Sequence, residues 1–197
     1  MSENRPTDHE LIAATKNGDE SAFEEIMRRY SSPITNYLYR FLNDREEAVD
    51  LAQETFVRVY YAVDRYNTDY AFSTYIYRIA TNLAITETRK RKRRKLLSLT
   101  GLFQSDGEEA KEFEIADERQ LQDEGFEADE RGKMIESAIA SLPEKYRLPI
   151  ILRDVQEHSY EEVANILGLG LGTTKSRISR ARGLLRAKLE GQFPDLE

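Results

Sequence analysis

The sequence predicts an all-α protein built as two small helical domains joined by a flexible acidic linker. Three observations carry that expectation. Apolar residues recur at helical spacing on both sides of the chain, and no stretch sustains the period-two alternation of a strand. Acidity is concentrated between the two parts: residues 96–132 hold 12 acidic and 3 basic side chains, whereas residues 1–95 hold 16 basic and 15 acidic and residues 133–197 hold 10 and 9. Finally, residues 159–189 read as two short helices around a glycine-bearing turn, the second helix carrying six basic residues and no acidic one between Thr173 and Leu189.

The elements follow in order. Residues 10–16 make a short helix with Leu11 and Ile12 inward, broken by Asn17-Gly18. Asp19 caps the next helix, whose stripe runs Ala22, Phe23, Ile26, Met27, Tyr30, Ile34, Leu38 and Phe41, with Pro33 expected to kink or interrupt it. Asp44 and Glu47 form a start resembling a capping box for a third helix, with Val49, Ala52, Phe56, Val59, Tyr60 and Val63 along it. A polar and aromatic loop, YNTDYAFS, follows at residues 66–73, and Ser73 is expected to cap the helix that carries Tyr75, Ile76, Ile79 and Leu83 into the seven-residue basic run RKRKRRK at 89–95. The first domain is therefore 8–95.

Residues 96–132 are acid-rich with little periodicity, which reads as a linker. The second domain, 133–192, opens with a helix holding Met134, Ile135, Ala138, Ile139 and Leu142. Another helix holds Tyr146, Leu148, Ile150, Ile151 and Leu152, with Pro149 inside it. Ser159 and Glu162 then satisfy a capping box. Val163, Ala164 and Leu167 form an inner face before the turn 168–172, and Thr174, Ile178, Ala181 and Leu185 form the inner stripe of the last helix. Its polar side carries Lys175, Ser176, Arg177, Ser179, Arg180 and Arg182, the arrangement of a DNA-reading helix-turn-helix.

Several chemistries are excluded or unsupported. With no cysteine, disulfides, thiolate nucleophiles and zinc-thiolate sites are impossible. No apolar run approaches 18 residues, so no membrane insertion is expected, and residues 1–10 lack the basic and apolar regions of a secretory signal. The two histidines, His9 and His158, sit beside helix starts and read as capping or surface groups. There is no phosphate-binding loop, no nucleophile elbow and no histidine pair at helical spacing, so neither catalysis nor a metal or other cofactor is expected. The net charge of −7 does not argue against nucleic acid, because patch position decides phosphate binding. Residues 89–95 suit phosphates, and Tyr66, Tyr70, Phe72, Tyr75 and Tyr77 beside them are either packing residues or a platform for single-stranded bases.

Three segments extend this reading. EEAVDLAQETFVRVY (46–60), AFSTYIYRIATNLA (71–84) and the run 142–182, with D-x-x-Q-E-x-F and G-T-x-K-S-R-x-x-R-A-R in that order, resemble the extracytoplasmic-function (ECF) group of sigma-70 family sigma factors. The resemblance implies a sigma-2 type bundle and a sigma-4 type helix-turn-helix domain in a non-enzymatic, cytoplasmic transcription initiation factor. That factor would bind core RNA polymerase, recognise promoter DNA at −10 and −35 elements and assist melting. It implies contacts to the β′ clamp helices from Asp50, Gln53, Glu54, Phe56 and Arg58, with the β flap as a second polymerase contact. Binding of the −10 element would fall to Asn67, Asp69, Tyr70, Ala71, Phe72, Ser73, Arg78, Asn82, Arg89, Lys90 and Arg93, and of the −35 element to Thr173, Lys175, Ser176, Arg177, Ser179 and Arg180. It also implies an anti-sigma factor as partner. Thr86 stands where many relatives carry aspartate, Tyr75 where tryptophan is usual, Gly170 where proline is common and Thr174 where valine is common. The acidic segment either threads the polymerase channels or serves as a spacer. A stand-alone helix-turn-helix regulator is the alternative; it would need neither the 46–60 helix nor the aromatic loop.

Overall fold

The computed structural model describes residues 5–99 and 130–190. Most of the expected linker lies outside the described residues, and among these every regular element is helical. Helix α1 (Asp8–Lys16) starts two residues earlier than its apolar pattern suggests, because Thr7 and Glu10 close a capping box: the Thr7 amide donates to Glu10 Oε2 at 2.7 Å and the Glu10 amide to Thr7 Oγ1 at 3.3 Å. Asp19 caps α2 (Glu20–Leu42) by accepting from the Ser21 and Ala22 amides. Pro33 does not interrupt α2, which runs 23 residues. The residues after the proline, Ile34, Tyr37 and Leu38, are fully buried and hold the helix in place by tertiary packing.

Helix α3 (Arg45–Tyr61) departs from its expected stripe. Its inner face is Ala48, Ala52, Thr55, Phe56 and Val59, while Val49 and Tyr60 point outward. Phe56 and Val59 alternate with the small Ala48, Ala52 and Thr55 on this inner face. Asp44 caps α3 through the Glu47 amide at 3.0 Å, but the Glu47 carboxylate pairs with Arg91 at 2.8 Å. A 3₁₀ turn (Val63–Arg65) leads to the loop and α4 (Phe72–Leu99), so Ser73 lies inside the helix and is not its cap. Tyr37 and Thr81, both fully buried, share a 2.7 Å hydrogen bond between α2 and α4.

After residue 130, α5 (Glu130–Ala140) is followed by α6 (Glu144–Ile150). Pro149 lies inside α6, and directly after this helix the chain widens into a π turn (Ile151–Val155), where the Gln156 amide bonds the Ile151 carbonyl five residues back. Helix α7 (Tyr160–Leu167) begins with the reciprocal Ser159–Glu162 box, with bonds of 2.8 and 3.1 Å. It ends at Gly168, whose φ of 62° is the left-handed conformation that a residue without Cβ adopts at little cost. Helix α8 (Leu171–Glu190) takes in Leu171 and Gly172, so the turn is shorter than expected.

The two parts of the chain share one contiguous core, with α7 lying along α4. The seam is polar as well as apolar. Tyr77 Oη donates to Gln156 Oε1 at 2.5 Å, Arg147 Nη1 to the Phe41 carbonyl at 2.8 Å, Arg40 pairs with Glu136 at 3.4 Å, and Lys92 with Glu144 at 2.6 Å. His158 is not on the surface: it is 6% exposed and meets Tyr77 edge-to-face at 4.6 Å between ring centroids.

Candidate nucleic-acid interface

The helix-turn-helix separates its faces cleanly. Thr174, Ile178 and Ala181 of α8 are buried against the domain, whereas Thr173, Lys175, Ser176, Ser179 and Arg180 are exposed and Arg177 is half-buried. A helical rise of 1.5 Å and 100° per residue puts 175, 176, 179 and 180 on one outward strip. Arg182 is committed elsewhere: its guanidinium grips Asp154 through two bonds of 2.9 and 2.6 Å, fastening α8 to the π turn and raising the Arg182 pKa. Thr174 Oγ1 donates to the Gly170 carbonyl at 3.2 Å, so this buried hydroxyl is satisfied inside the motif.

The second DNA-facing candidate surrounds residues 67–73. Asn67 Oδ1 accepts from the Asp69 amide at 3.0 Å and Asn67 Nδ2 donates to Asp69 Oδ2 at 2.9 Å, a local turn that leaves residues 67–71 exposed. Tyr66 braces the loop from beneath, its hydroxyl donating to the Tyr70 carbonyl at 2.6 Å. The aromatic cluster divides sharply. Tyr66, Phe72 and Tyr77 are core residues; Tyr75 is half-buried and donates to the Ala62 carbonyl at 3.3 Å; Tyr70 alone of the five stands out, at 49% exposure. Phe72, expected among the DNA contacts, is 2% exposed and packed edge-on to Tyr30 and Tyr66, so in this conformation it cannot stack on a base. Ser73 is half-buried, and Arg78 and Asn82 are exposed on α4. Thr86 donates to the Asn82 carbonyl at 2.7 Å and so offers no carboxylate to that face.

The basic run is less uniform than its composition suggests. Arg91 reaches Asp44 at 2.6 Å and Glu47 at 2.8 Å, and Lys90 and Arg94 both reach Glu87, at 3.0 and 2.8 Å. Among the described residues, Arg89 and Arg93 make no ion pair, and both are exposed. Burial pushes the Glu47 carboxyl up, against the opposing pull of Arg91.

A third surface is apolar. Between α2 and α3 lies an open groove of about 660 Å³, lined by Phe23, Met27, Val49, Gln53, Phe56, Val57, Tyr60 and Tyr61. Val57 is 49% and Tyr61 83% exposed, an unusual cost for side chains of this size in water. Of the expected polymerase contacts, Gln53 and Phe56 line the groove. Asp50 is exposed nearby, and Glu54 accepts from Arg58 at 2.7 Å on an outer face of α3. Met27, Val57 and Tyr61 did not figure among the expected site residues. The signal available was a surplus of large apolar residues on α3 beyond what one helical stripe holds. Among the described residues no group of histidine, aspartate and glutamate side chains could hold a metal, and no helix is long and apolar enough to cross a membrane.

Comparison with known proteins agrees with both halves of this arrangement. Residues 26–94 match the family model of sigma-70 region 2, and residues 132–185 that of sigma-70 region 4. The chain is 37% identical over 178 residues to the ECF RNA polymerase sigma factor SigW of Bacillus subtilis, covering 90% of this chain and 94% of that protein. It is 33% identical over 187 residues to the RNA polymerase sigma-H factor of Pseudomonas aeruginosa, covering 93% and 94%. Its fold matches that of CnrH in complex with the cytosolic domain of CnrY, with a TM-score of 0.65 at 22% identity over 93% of this chain and 97% of that one. It equally matches the sigma factor RpoE of Bartonella quintana in complex with the anti-sigma factor NepR, with a TM-score of 0.65 at 24% identity over 85% and 96%. With its helix-turn-helix, its exposed polar loop and these relatives spanning nearly its whole length, the chain belongs to the ECF group of the sigma-70 family, transcription initiation factors that are not enzymes and that direct RNA polymerase to promoters.

Proposed function

We propose that the chain divides its initiation work among three surfaces. The strip Lys175, Ser176, Ser179 and Arg180, with Thr173 and Arg177 at its edges, reads the −35 element in the major groove. Residues Asn67, Asp69, Tyr70 and Ala71, with Arg78 and Asn82 behind them and Arg89, Lys90 and Arg93 along the phosphates, engage the opened −10 element. Ser73 belongs to the margin of this surface, and Phe72 supports it from the core. The α2–α3 groove, with Asp50, Gln53, Phe56 and the Glu54–Arg58 pair at or near its rim, receives the clamp helices of core polymerase. The corresponding domains are 8–95 and 133–192, with 96–132 between them.

The observation that carries this reading is the segregation of α8, whose outward strip holds cations and hydroxyls while its inward stripe is fully buried. The factor works where polymerase does, in the cytoplasm, and the Bartonella neighbour's pairing with an anti-sigma factor supports a partner of the same kind here. Run-off transcription from genomic DNA tests the function. Defined start sites are expected only when the chain and core polymerase are both present. Tight duplex binding by the chain alone, unchanged on adding core, would refute it.

A further inference from the structure

The seam between α4 and the helix-turn-helix brings the two DNA-reading parts into direct contact, through Tyr77 and Gln156 at 2.5 Å and Tyr77 and His158 at 4.6 Å. On a promoter these parts serve elements about 25 base pairs apart, roughly 85 Å at 3.4 Å per pair. The closed molecule cannot reach both. The 30 residues between Leu99 and Glu130 can span at most about 100 Å, enough for the parts to separate. Promoter engagement on the reading above therefore requires the seam to open.

His158 is buried in this seam. Glu157 before it is held at a φ of 60°, a conformation that side-chain-bearing residues seldom adopt, and the ring enters the seam. Its Nδ1 lies 3.8 Å from Glu162 Oε2 of α7, beyond a hydrogen bond, and its Nε2 is buried with no partner among the described residues. Its carbonyl accepts from Arg153 Nη1 of the π turn at 3.0 Å. From α4, Tyr77 presents its ring, and burial raises the pKa of that hydroxyl, so it stays neutral. Among the described residues, the charged groups at the imidazole are thus one carboxylate, Glu162, and one guanidinium, Arg153, with no acceptor at Nε2.

We propose that His158 is a proton-sensitive catch on a self-closed seam: neutral, it packs against Tyr77 and holds the DNA-reading parts together; protonated, it favours their separation. A cation there would leave one N–H donor buried and unpaired. Burial lowers the His158 pKa from 6.5, more than the opposing pull of Glu162 raises it. The sign follows: the open form binds the proton near 6.5 and the closed form only at lower pH, so the closed form is favoured above that value and loses ground as pH falls through it. Between pH 8 and 5.5 the open-to-closed ratio rises by up to about tenfold, the limit for a group of pKa ~6.5 when the closed form takes no proton.

The test uses the full chain, whose lack of native cysteine permits specific labelling. Glu24→Cys on α2 and Lys188→Cys on α8 are both exposed and outside the proposed surfaces, and their spin-label distance is recorded from pH 8 to 5.5. One short distance at pH 8 and a growing longer-distance population on acidification are expected. His158→Phe, which keeps an aromatic ring and cannot take the proton, should abolish the response. With only two histidines, His158 can be followed directly by NMR beside exposed His9, and its titration should coincide with the distance change even if His158→Phe fails to fold. A pH-independent distance, a response retained in folded His158→Phe, or opening that does not follow the His158 titration would each overturn the proposal. Because the readout is a distance, its failure would leave the initiation-factor reading standing.

Discussion

The guanidinium of Arg147 donates to the main-chain carbonyl of Phe41, 2.8 Å away and 106 positions earlier in the chain. Its Nε and Nη2 atoms also donate to the Leu142 carbonyl, at 3.2 and 2.9 Å, so one side chain ties α6 to its own leading turn and to the end of α2. Burial pulls the Arg147 pKa down, with Glu144 opposing. Replacing Arg147 by Ala leaves part-buried carbonyls without their donors and should cost about 1–3 kcal/mol in urea unfolding. Lysine should restore little of this, because an ammonium cannot reproduce the fork.

Ser159→Ala removes the oxygen that receives the Glu162 amide and should lower stability by about 1 kcal/mol, read as a shift of the urea midpoint at constant slope. Glu162 adds a pH dependence. Burial pushes its carboxyl up, but the Ser159 amide and hydroxyl, His158 and Thr74 together hold it below the ordinary value of 4.5. With the folded value below the unfolded one, its contribution is present above pH 4.5 and is lost as pH falls through the folded value. Glu162→Gln should flatten the acid limb of the stability curve below pH 4.5 relative to the parent.

Arg180→Ala should lower discrimination for the −35 element by about 1–3 kcal/mol in competition transcription, with core binding unchanged. Arg182→Ala offers the contrast. Its bonds go to Asp154, so it should alter unfolding by about 0.2–1 kcal/mol and leave promoter preference alone. Equal loss of selectivity and core binding in Arg180→Ala would contradict the assignment of α8.

In the groove, Val57→Asp places a charge on an exposed apolar wall and should weaken capture by core polymerase at least tenfold while folding is retained. Along the basic run, Arg93→Ala should reduce the salt dependence of promoter binding by about one phosphate equivalent, a slope change of roughly 0.7–0.9. Arg91→Ala should act mainly on stability, since it frees Asp44 and Glu47 from their shared cation.

Gly183 lies within α8 with open space where a Cβ would go and no positive φ to require glycine. Gly183→Ala should therefore raise stability by about 0.5–1 kcal/mol in thermal unfolding without affecting promoter choice.

The sequence by itself determined the helical class, the Asp19 and Ser159 caps, the Gly168 stop and the buried stripe of Thr174, Ile178 and Ala181. These are local: each depends on neighbours within about four positions, where helical periodicity and capping chemistry act directly. The family was legible for the same reason, in two short motifs. Tertiary structure alone decided which large side chains face out. Val49, Val57 and Tyr60 look like core by composition, yet the Ala48, Ala52, Phe56 and Val59 face of α3 packs inward and leaves them on the groove; Phe72 looks like a base-stacking aromatic yet fills the core under the loop. Tertiary structure also decided which cations are paired, since Arg91 meets carboxylates 47 and 44 positions away, and it carried His158 from an expected surface position into the seam with Tyr77. Contacts across such separations depend on how helices stack, and no local pattern encodes that.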